Sequence, residues 1–367
     1  MIEWAVTAVI VVSPYEMPHQ VLRLVDASMN RVGEGLRLLE DVARLLLDDA
    51  VLTGRLRAMR HELLTSDASL QLELVGARDA AGDVGVDTQA APGDRLRDLT
   101  LTVIANARRV QESLRSLEEL AKLPEAGGRL DSDRFKHARF SLYALEQELL
   151  GRLTRRDRSK RIRGLYVIID TVFIGGRTHA QVTVQALRGG AGVIQLRDKT
   201  TGRAELLEIA RGLKALCHEH GALFVMNDYL DIAVATGADG LHLGQGDLPL
   251  GEARRLVPLD MLLGTSCTSV ELAAAAEAQG ADYIAVGSMY PTLSKETAVV
   301  VGPEMLQKVR QKTSRPLVAI GGINRGNVGE VVRAGADSIC VISAVLGSDN
   351  PEEAARQLVV ALEESSG

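Results

Sequence analysis

Two hydrophobic rhythms divide the chain. In the first part, Val32, Leu36, Leu39, Ala43 and Leu46 fall three or four residues apart, which is the spacing of one helix face. Beyond Gly164 the rhythm changes to short apolar runs alternating with amphipathic stretches of helical length. The runs are "LYVIID" (165–170), "VIQLR" (193–197), "LFVMN" (223–227), "GLHLG" (240–244), "LLGTS" (262–266), "YIAVGS" (283–288), "PLVAIGG" (316–322) and "SICVIS" (338–343). Four of them follow a Gly-Ala punctuation: "GAGVIQL" at 190, "GADGLHL" at 237, "GADYIAV" at 280 and "GADSICV" at 335. Each suits a helix that stops at glycine, turns tightly and enters a strand. Eight strands alternating with helices predict an α/β fold, a (β/α)8 TIM barrel over 165–362. A doubly wound sheet would have fewer strands and a switch point in their order.

The region before the barrel, 21–150, reads as an all-α domain with an internal repeat. "RVGEGLRLLEDVAR" (31–44) returns 78 residues later as "RVQESLRSLEELAK" (109–122), and ten of the fourteen positions keep identity or charge. "RLRAMRH" from Arg55 finds a weaker echo in "RFKHARF" from Arg134. The pattern is that of a duplicated helical hairpin. Between the copies, the Gly- and Asp-rich "GARDAAGDVGVDTQAAPGD" reads as loop. The stretch 151–164, "GRLTRRDRSKRIRG", has seven basic residues in fourteen and reads as a solvated linker or helix tail rather than a phosphate patch.

Composition narrows the function classes. A net charge of −6 and 3% aromatic residues give no general affinity for nucleic acid and no base-stacking platform. Three scattered cysteines, Cys217, Cys267 and Cys340, form neither a zinc spacing nor a disulfide framework, as expected of a cytoplasmic protein. The apolar run Ala5–Val12 is too short to span a bilayer, and Glu3 argues against a signal peptide, so no membrane association is expected.

Barrel enzymes carry their chemistry on the loops after each strand. Those positions here hold "QLRDK" (Gln195, Leu196, Arg197, Asp198, Lys199), Asn227-Asp228, "GQGD" ending at Asp247, Thr265-Ser266, and "GSMYPTLSK" with Thr292, Leu293, Ser294 and Lys295. Gly322 follows strand 7, and Ile342-Ser343 follow strand 8. Cations and exposed amides suit phosphates. Asp228 and Asp247 would repel phosphates unless a divalent cation lay between, and Mg2+ takes one or two carboxylates, waters and phosphate oxygens. The rim therefore reads as a Mg2+–diphosphate site. His242, inside strand 4, reads as an interior scaffold histidine.

These motifs, in this order, resemble the thiamine phosphate synthases over about residues 164–362. The resemblance implies coupling of 4-amino-5-hydroxymethyl-2-methylpyrimidine diphosphate to hydroxyethylthiazole phosphate, two small-molecule partners. It implies that Gln195, Arg197, Lys199, Asn227, Ser266 and Lys295 hold the pyrimidine diphosphate, with Leu196 and Asp198 in the same stretch. Arg197, Lys199, Lys295 and Ser266 would serve catalysis, and Asp228 and Asp247 would hold one Mg2+. Thr292, Ser294, Gly322, Ile342 and Ser343 would hold the thiazole phosphate, with Leu293 beside them. Ser294 stands where the family usually has Thr. A thiazole tautomerase, the nearest rival, is expected to carry a histidine after strand 5, where this chain has "GTSCTSVE". A non-catalytic phosphate-binding regulator would not need the full metal and diphosphate set.

The helical half resembles a domain fused ahead of some of these synthases and taken to be a hydroxymethylpyrimidine phosphate kinase, which implies ATP as its second substrate. No P-loop or HExxH occurs there. Each copy carries a polar stripe, Glu34, Arg37 and Asp41, then Glu112, Arg115 and Glu119. It reads as an ion-paired solvated face or as a site shared across the repeat. The alternative role for this half is oligomerisation of the chain.

Overall fold

The structure is a computed structural model that describes residues 17–64, 68–79, 98–126, 128–292 and 299–366. The lead segment and most of the Gly- and Asp-rich loop lie outside the described residues. The chain divides into two units, Met1–Leu153 and Thr154–Gly367. No described helix is long and apolar enough to cross a membrane.

The first unit is helical: α1 (His19–Leu45), α2 (Ala50–Leu64), α3 (Ala68–Gly76), α4 (Leu99–Leu120) and α5 (Ser132–Ser159), the last continuing into the second unit. The repeat seen in sequence is a repeat in packing. Val25, Val32, Leu36 and Leu39 of α1 are buried, and so are Val103, Val110, Leu114 and Leu117 of α4, each 78 positions on. Burying each such side chain contributes about 1.5–3 kcal/mol. Gly35 permits the close approach of α1 to α4, because a Cβ there would sit 2.4 Å from Val110 Cγ2.

The buried charges repeat as well. Glu40 is fully buried and accepts from Arg57 (2.9 Å) and Arg60 (3.0 Å). Its counterpart Glu118 accepts from Arg115 (2.8 Å) and Arg139 (3.1 Å), and Arg139 is the counterpart of Arg60 in the weaker echo. Burial opposes ionisation at both glutamates, but the arginines outweigh it and hold both below the ordinary carboxylate range. A buried carboxylate needs such partners to remain charged. The polar stripe is ion-paired along its own helix, Arg37 with Asp41 (3.3 Å) and Arg115 with Glu119 (2.7 Å).

The basic stretch 151–164 continues as helix to Ser159. Arg152 pairs with Asp49 and with Glu148 (2.6 Å). Arg155 pairs with Asp282 (3.0 Å) and Arg158 with Asp260 (3.0 Å).

The second unit is a closed, all-parallel barrel in the order β1 to β8. The strands are β1 (Gly164–Asp170), β2 (Val193–Arg197), β3 (Leu223–Asn227), β4 (Gly240–Leu243), β5 (Leu262–Cys267), β6 (Tyr283–Gly287), β7 (Leu317–Ile320) and β8 (Ser338–Val341). One apolar cluster, including Val167, Ile194, Phe224 and Leu263, packs between strands and helices. A second, including Tyr166, Ile168, Val193, Val225, Tyr283 and Cys340, fills the barrel interior. All three cysteines are free and buried.

The Gly-Ala-Asp punctuation does more than turn the chain. Gly237, Gly280 and Gly335 adopt positive φ (60°, 95° and 103°), which side-chain-bearing residues rarely do. The following aspartate then reaches the first residues of the preceding strand. Asp239 accepts from the Phe224 amide (2.9 Å), Asp282 from Leu263 (2.8 Å) and Asp337 from Leu317 (2.7 Å). Three strand pairs, β3/β4, β5/β6 and β7/β8, are clamped this way at the end opposite the strand C-termini.

Candidate active site

Strand alternation carries one row of each strand inward. Tyr166 and Ile168, Val193, Val225, Leu262, Tyr283 and Ala285 face the interior. The same two-residue step continues through Gln195 to Arg197, through Val225 to Asn227 and through Leu262 to Ser266. The alternation thus delivers polar ends from several strands to the C-terminal rim.

At β2, Asp198 organises the loop. Its carboxylate accepts from Thr171 Oγ1 (2.6 Å), the Thr200 amide (2.8 Å) and Oγ1 (3.0 Å), and the Thr201 amide (2.8 Å) and Oγ1 (2.6 Å). Burial works against the charge, but these donors hold the carboxyl well below the usual range. Asp198 is therefore saturated by its own loop and by Thr171 after β1, and it sets Arg197 and Lys199 on either side. Arg197 hydrogen-bonds Asp170 at the end of β1. Gln195 Nε2 donates to Tyr166 Oη (2.7 Å).

Asp228 is a non-glycine residue at φ 62°, a strained conformation of the kind that clusters at functional sites. Its amide donates to the His242 carbonyl (2.9 Å), and its carboxylate lies 3.4 Å from Lys199 Nζ. Its second neighbour is Asp247, which comes from the loop after β4 and accepts from the Gly244 amide (2.7 Å). Burial, then hydrogen bonding and repulsion from Asp247, raise the Asp228 carboxyl to about 6. The two aspartates that stand nineteen residues apart in sequence are brought close enough in space for the charge of Asp247 to oppose ionisation of Asp228. No group of three or more His, Cys, Asp or Glu able to hold a metal occurs among the described residues. Mg2+ needs only one or two carboxylates beside water and phosphate, so this pair fits it by donor chemistry.

At β5, Ser266 Oγ lies 2.9 Å from His242 Nε2, and its carbonyl accepts from Gln245 Nε2 (2.6 Å). His242 is buried, and burial pushes it down to about 4, so the ring is neutral at physiological pH. On the far side of the rim, Gly321 and Gly322 take φ 98° and 66°. A Cβ at Gly321 would lie 2.0 Å from Ser288 Oγ, and one at Gly322 2.5 Å from the Pro291 carbonyl. Glycine here lets the loop after β6 close on the turn after β7. Thr292 ends the described part of that loop, and Leu293, Ser294 and Lys295 lie outside the described residues. Ile342 caps the short helix Ser343–Leu346.

Sequence reading overlooked Asp170, Tyr166 and Tyr283. Asp170 carried a usable signal, as a carboxylate at the C-terminal end of a barrel strand. The tyrosines lie inside apolar runs and gave none.

An eight-stranded parallel barrel with cations, paired carboxylates and a Gly-Gly turn on its C-terminal rim defines a TIM-barrel enzyme with a site suited to phosphorylated substrates. The thiamine monophosphate synthase family model matches residues 165–345, and the ThiD2 family model matches 23–148. A thiamine-phosphate synthase of a Nostoc species is 36% identical over 358 residues, covering 95% of this chain and 97% of that protein. One from Methanospirillum hungatei is 49% identical over 195 residues, 53% of this chain but 95% of that protein. The solved thiamine phosphate pyrophosphorylase of Pyrococcus furiosus is 39% identical with a TM-score of 0.53, covering 57% of this chain and 99% of that one. The chain belongs to the thiamine-phosphate synthase family and is a transferase of thiamine biosynthesis.

Proposed function

We propose that the barrel joins the pyrimidine diphosphate to the thiazole phosphate with Mg2+ bound at Asp228 and Asp247. The observation that carries this reading is the Asp228–Asp247 pair, with Lys199 3.4 Å from Asp228. Two carboxylates facing each other on a phosphate-binding rim are unfavourable without a cation. Bound there, Mg2+ would neutralise diphosphate oxygens and make diphosphate a better leaving group.

The protein's own part is positioning and charge neutralisation. Arg197 and Lys199 would neutralise the diphosphate, with Lys295 in the same role by the family resemblance, while Gln195, Asn227 and Ser266 would orient the pyrimidine. The bond between methylene carbon and diphosphate oxygen breaks with its electron pair leaving on the diphosphate. The ring amino group delocalises the resulting positive charge. The thiazole nitrogen, held through its phosphate by Thr292, Ser294, Gly322, Ile342 and Ser343, donates its lone pair to form the new C–N bond. No covalent protein nucleophile is required. Mixing the full chain with both substrates and Mg2+ should yield thiamine phosphate and diphosphate. No product, or equal product in excess chelator, refutes the reading.

For the helical unit, we propose ATP-dependent phosphorylation of the pyrimidine monophosphate, the step that would supply the barrel's diphosphate. The support is the ThiD2 family match over 23–148, together with relatives such as the Methanospirillum synthase, which is matched over 95% of its own length by only 53% of this chain. An open cavity of about 810 Å³ between α2 and α5, lined by Arg55, Met59, Glu62, Arg134 and His137 among others, offers room for a substrate. Incubating the chain with ATP, Mg2+ and the monophosphate should release ADP. Its absence would favour oligomerisation as the role of this unit.

A further inference from the structure

Five polar side chains form a continuous hydrogen-bonded chain through the barrel interior. Gln195 Nε2 lies 2.7 Å from Tyr166 Oη, Tyr166 Oη 3.1 Å from Tyr283 Oη, Tyr283 Oη 3.1 Å from His242 Nδ1, and His242 Nε2 2.9 Å from Ser266 Oγ. Tyr166, Tyr283, Gln195 and His242 are all buried, in an otherwise apolar interior. Tyr283 reaches this position only because residue 264 is glycine: a Cβ there would lie 1.9 Å from its ring.

We propose that this chain runs in one direction and presets Ser266 as a hydrogen-bond donor to the pyrimidine substrate, with Tyr166, Tyr283 and His242 as positioning residues. The direction follows from the donor inventory. An amide nitrogen can only donate, so Tyr166 accepts from Gln195. A phenol has one proton, and among the described residues Tyr166 Oη has no partner but Gln195 and Tyr283, so it donates to Tyr283; Tyr283, with only Tyr166 and His242 beside it, then donates to His242 Nδ1. An imidazole whose Nδ1 accepts carries its proton on Nε2. That proton points at Ser266 Oγ, which accepts it. The hydroxyl proton of Ser266 is then left for an acceptor outside the chain, a pyrimidine ring nitrogen or a diphosphate oxygen. His242, read from sequence as scaffold, thereby acquires a role in the reaction.

The part concerning substrate rests on the coupling activity proposed above; the tautomer does not. The first test is therefore made without substrate. Nitrogen NMR of the full chain carrying 15N-histidine, with the signal assigned by His242→Gln, should show the Nε2–H tautomer. Tyr283→Phe or the milder Tyr166→Phe should weaken that preference. An Nδ1–H tautomer, as expected if the chain ran the other way, overturns the proposal even in a fully active enzyme. The second test is kinetic. Tyr283→Phe should lower kcat/KM about 10- to 100-fold, the range of one hydrogen bond to a charged group. It should lower it hardly at all in a Ser266→Ala background, because the loss is transmitted through that hydroxyl. Losses that multiply would reduce the tyrosines to packing and overturn the proposal; Tyr166→Phe repeats the cycle if Tyr283→Phe does not fold. Absence of coupling by the parent chain would refute the activity and leave the tautomer to decide the rest.

Discussion

Replacing Asp228 with Asn should stabilise the metal-free protein while destroying its metal response. Burial and Asp247 raise the Asp228 carboxyl to about 6, against an unfolded value near 3.9. The folded state then binds more protons than the unfolded state between about pH 4 and pH 6, so stability falls as pH rises through that window. Two units at about 1.36 kcal/mol each set an upper bound of about 3 kcal/mol. Solvent screening at the open rim reduces this to about 1–2 kcal/mol. Asn keeps the shape and tolerates the positive φ of this position. In chelator at neutral pH, the barrel transition of Asp228→Asn should lie a few degrees above that of the parent by calorimetry. Relative to the variant, the parent should lose stability from pH 4 to pH 6, and millimolar Mg2+ should raise the parent's transition but not the variant's. A variant less stable than the parent in chelator, with the same pH slope, would show that the two carboxylates are not in repulsive contact.

Gly264→Ala places a methyl into the Tyr283 ring, and the overpacking should cost about 1–3 kcal/mol in urea unfolding while lowering coupling activity. Asp198→Ala leaves two amides and three hydroxyls without their acceptor, so unfolding should lose about 2–4 kcal/mol at neutral pH. In the parent, the depressed Asp198 carboxyl contributes stability above the unfolded value of about 4 that is lost as pH falls below it. Glu40→Gln removes the buried charge that Arg57 and Arg60 enclose, and should lower the melting transition of the helical unit. Arg37→Gln, on an exposed stripe, should leave that transition nearly unchanged.

Much of this architecture was legible before folding. The period of two in the apolar runs and the glycine stops between them specify strands and helix ends, and eight such units in about 200 residues point to the barrel that the structure closes. Strand ends then mark the rim, so Arg197, Lys199, Asp228, Asp247 and Ser266 could be picked out one loop at a time. The duplication in the helical half was equally visible, since a packing stripe conserves its spacing when copied. Which polar residues meet was not legible. Glu40 reads like any helix-face glutamate until Arg57 and Arg60 from α2 enclose it. The aspartates of the Gly-Ala-Asp turns read as turn residues, although each also clamps a neighbouring strand.

Local backbone preference and hydrophobic period act over a few residues, and a sequence by itself determines them; here they produced the strands, the helix stops, the repeat and the list of rim residues. Closure of the sheet acts between residues far apart in the chain. It alone brought Tyr166 to Tyr283 across 117 positions, set His242 between Tyr283 and Ser266, and placed Asp247 against Asp228. The protonation of His242 and Asp228 follows from that burial and those neighbours, and no property of either residue in isolation contains it.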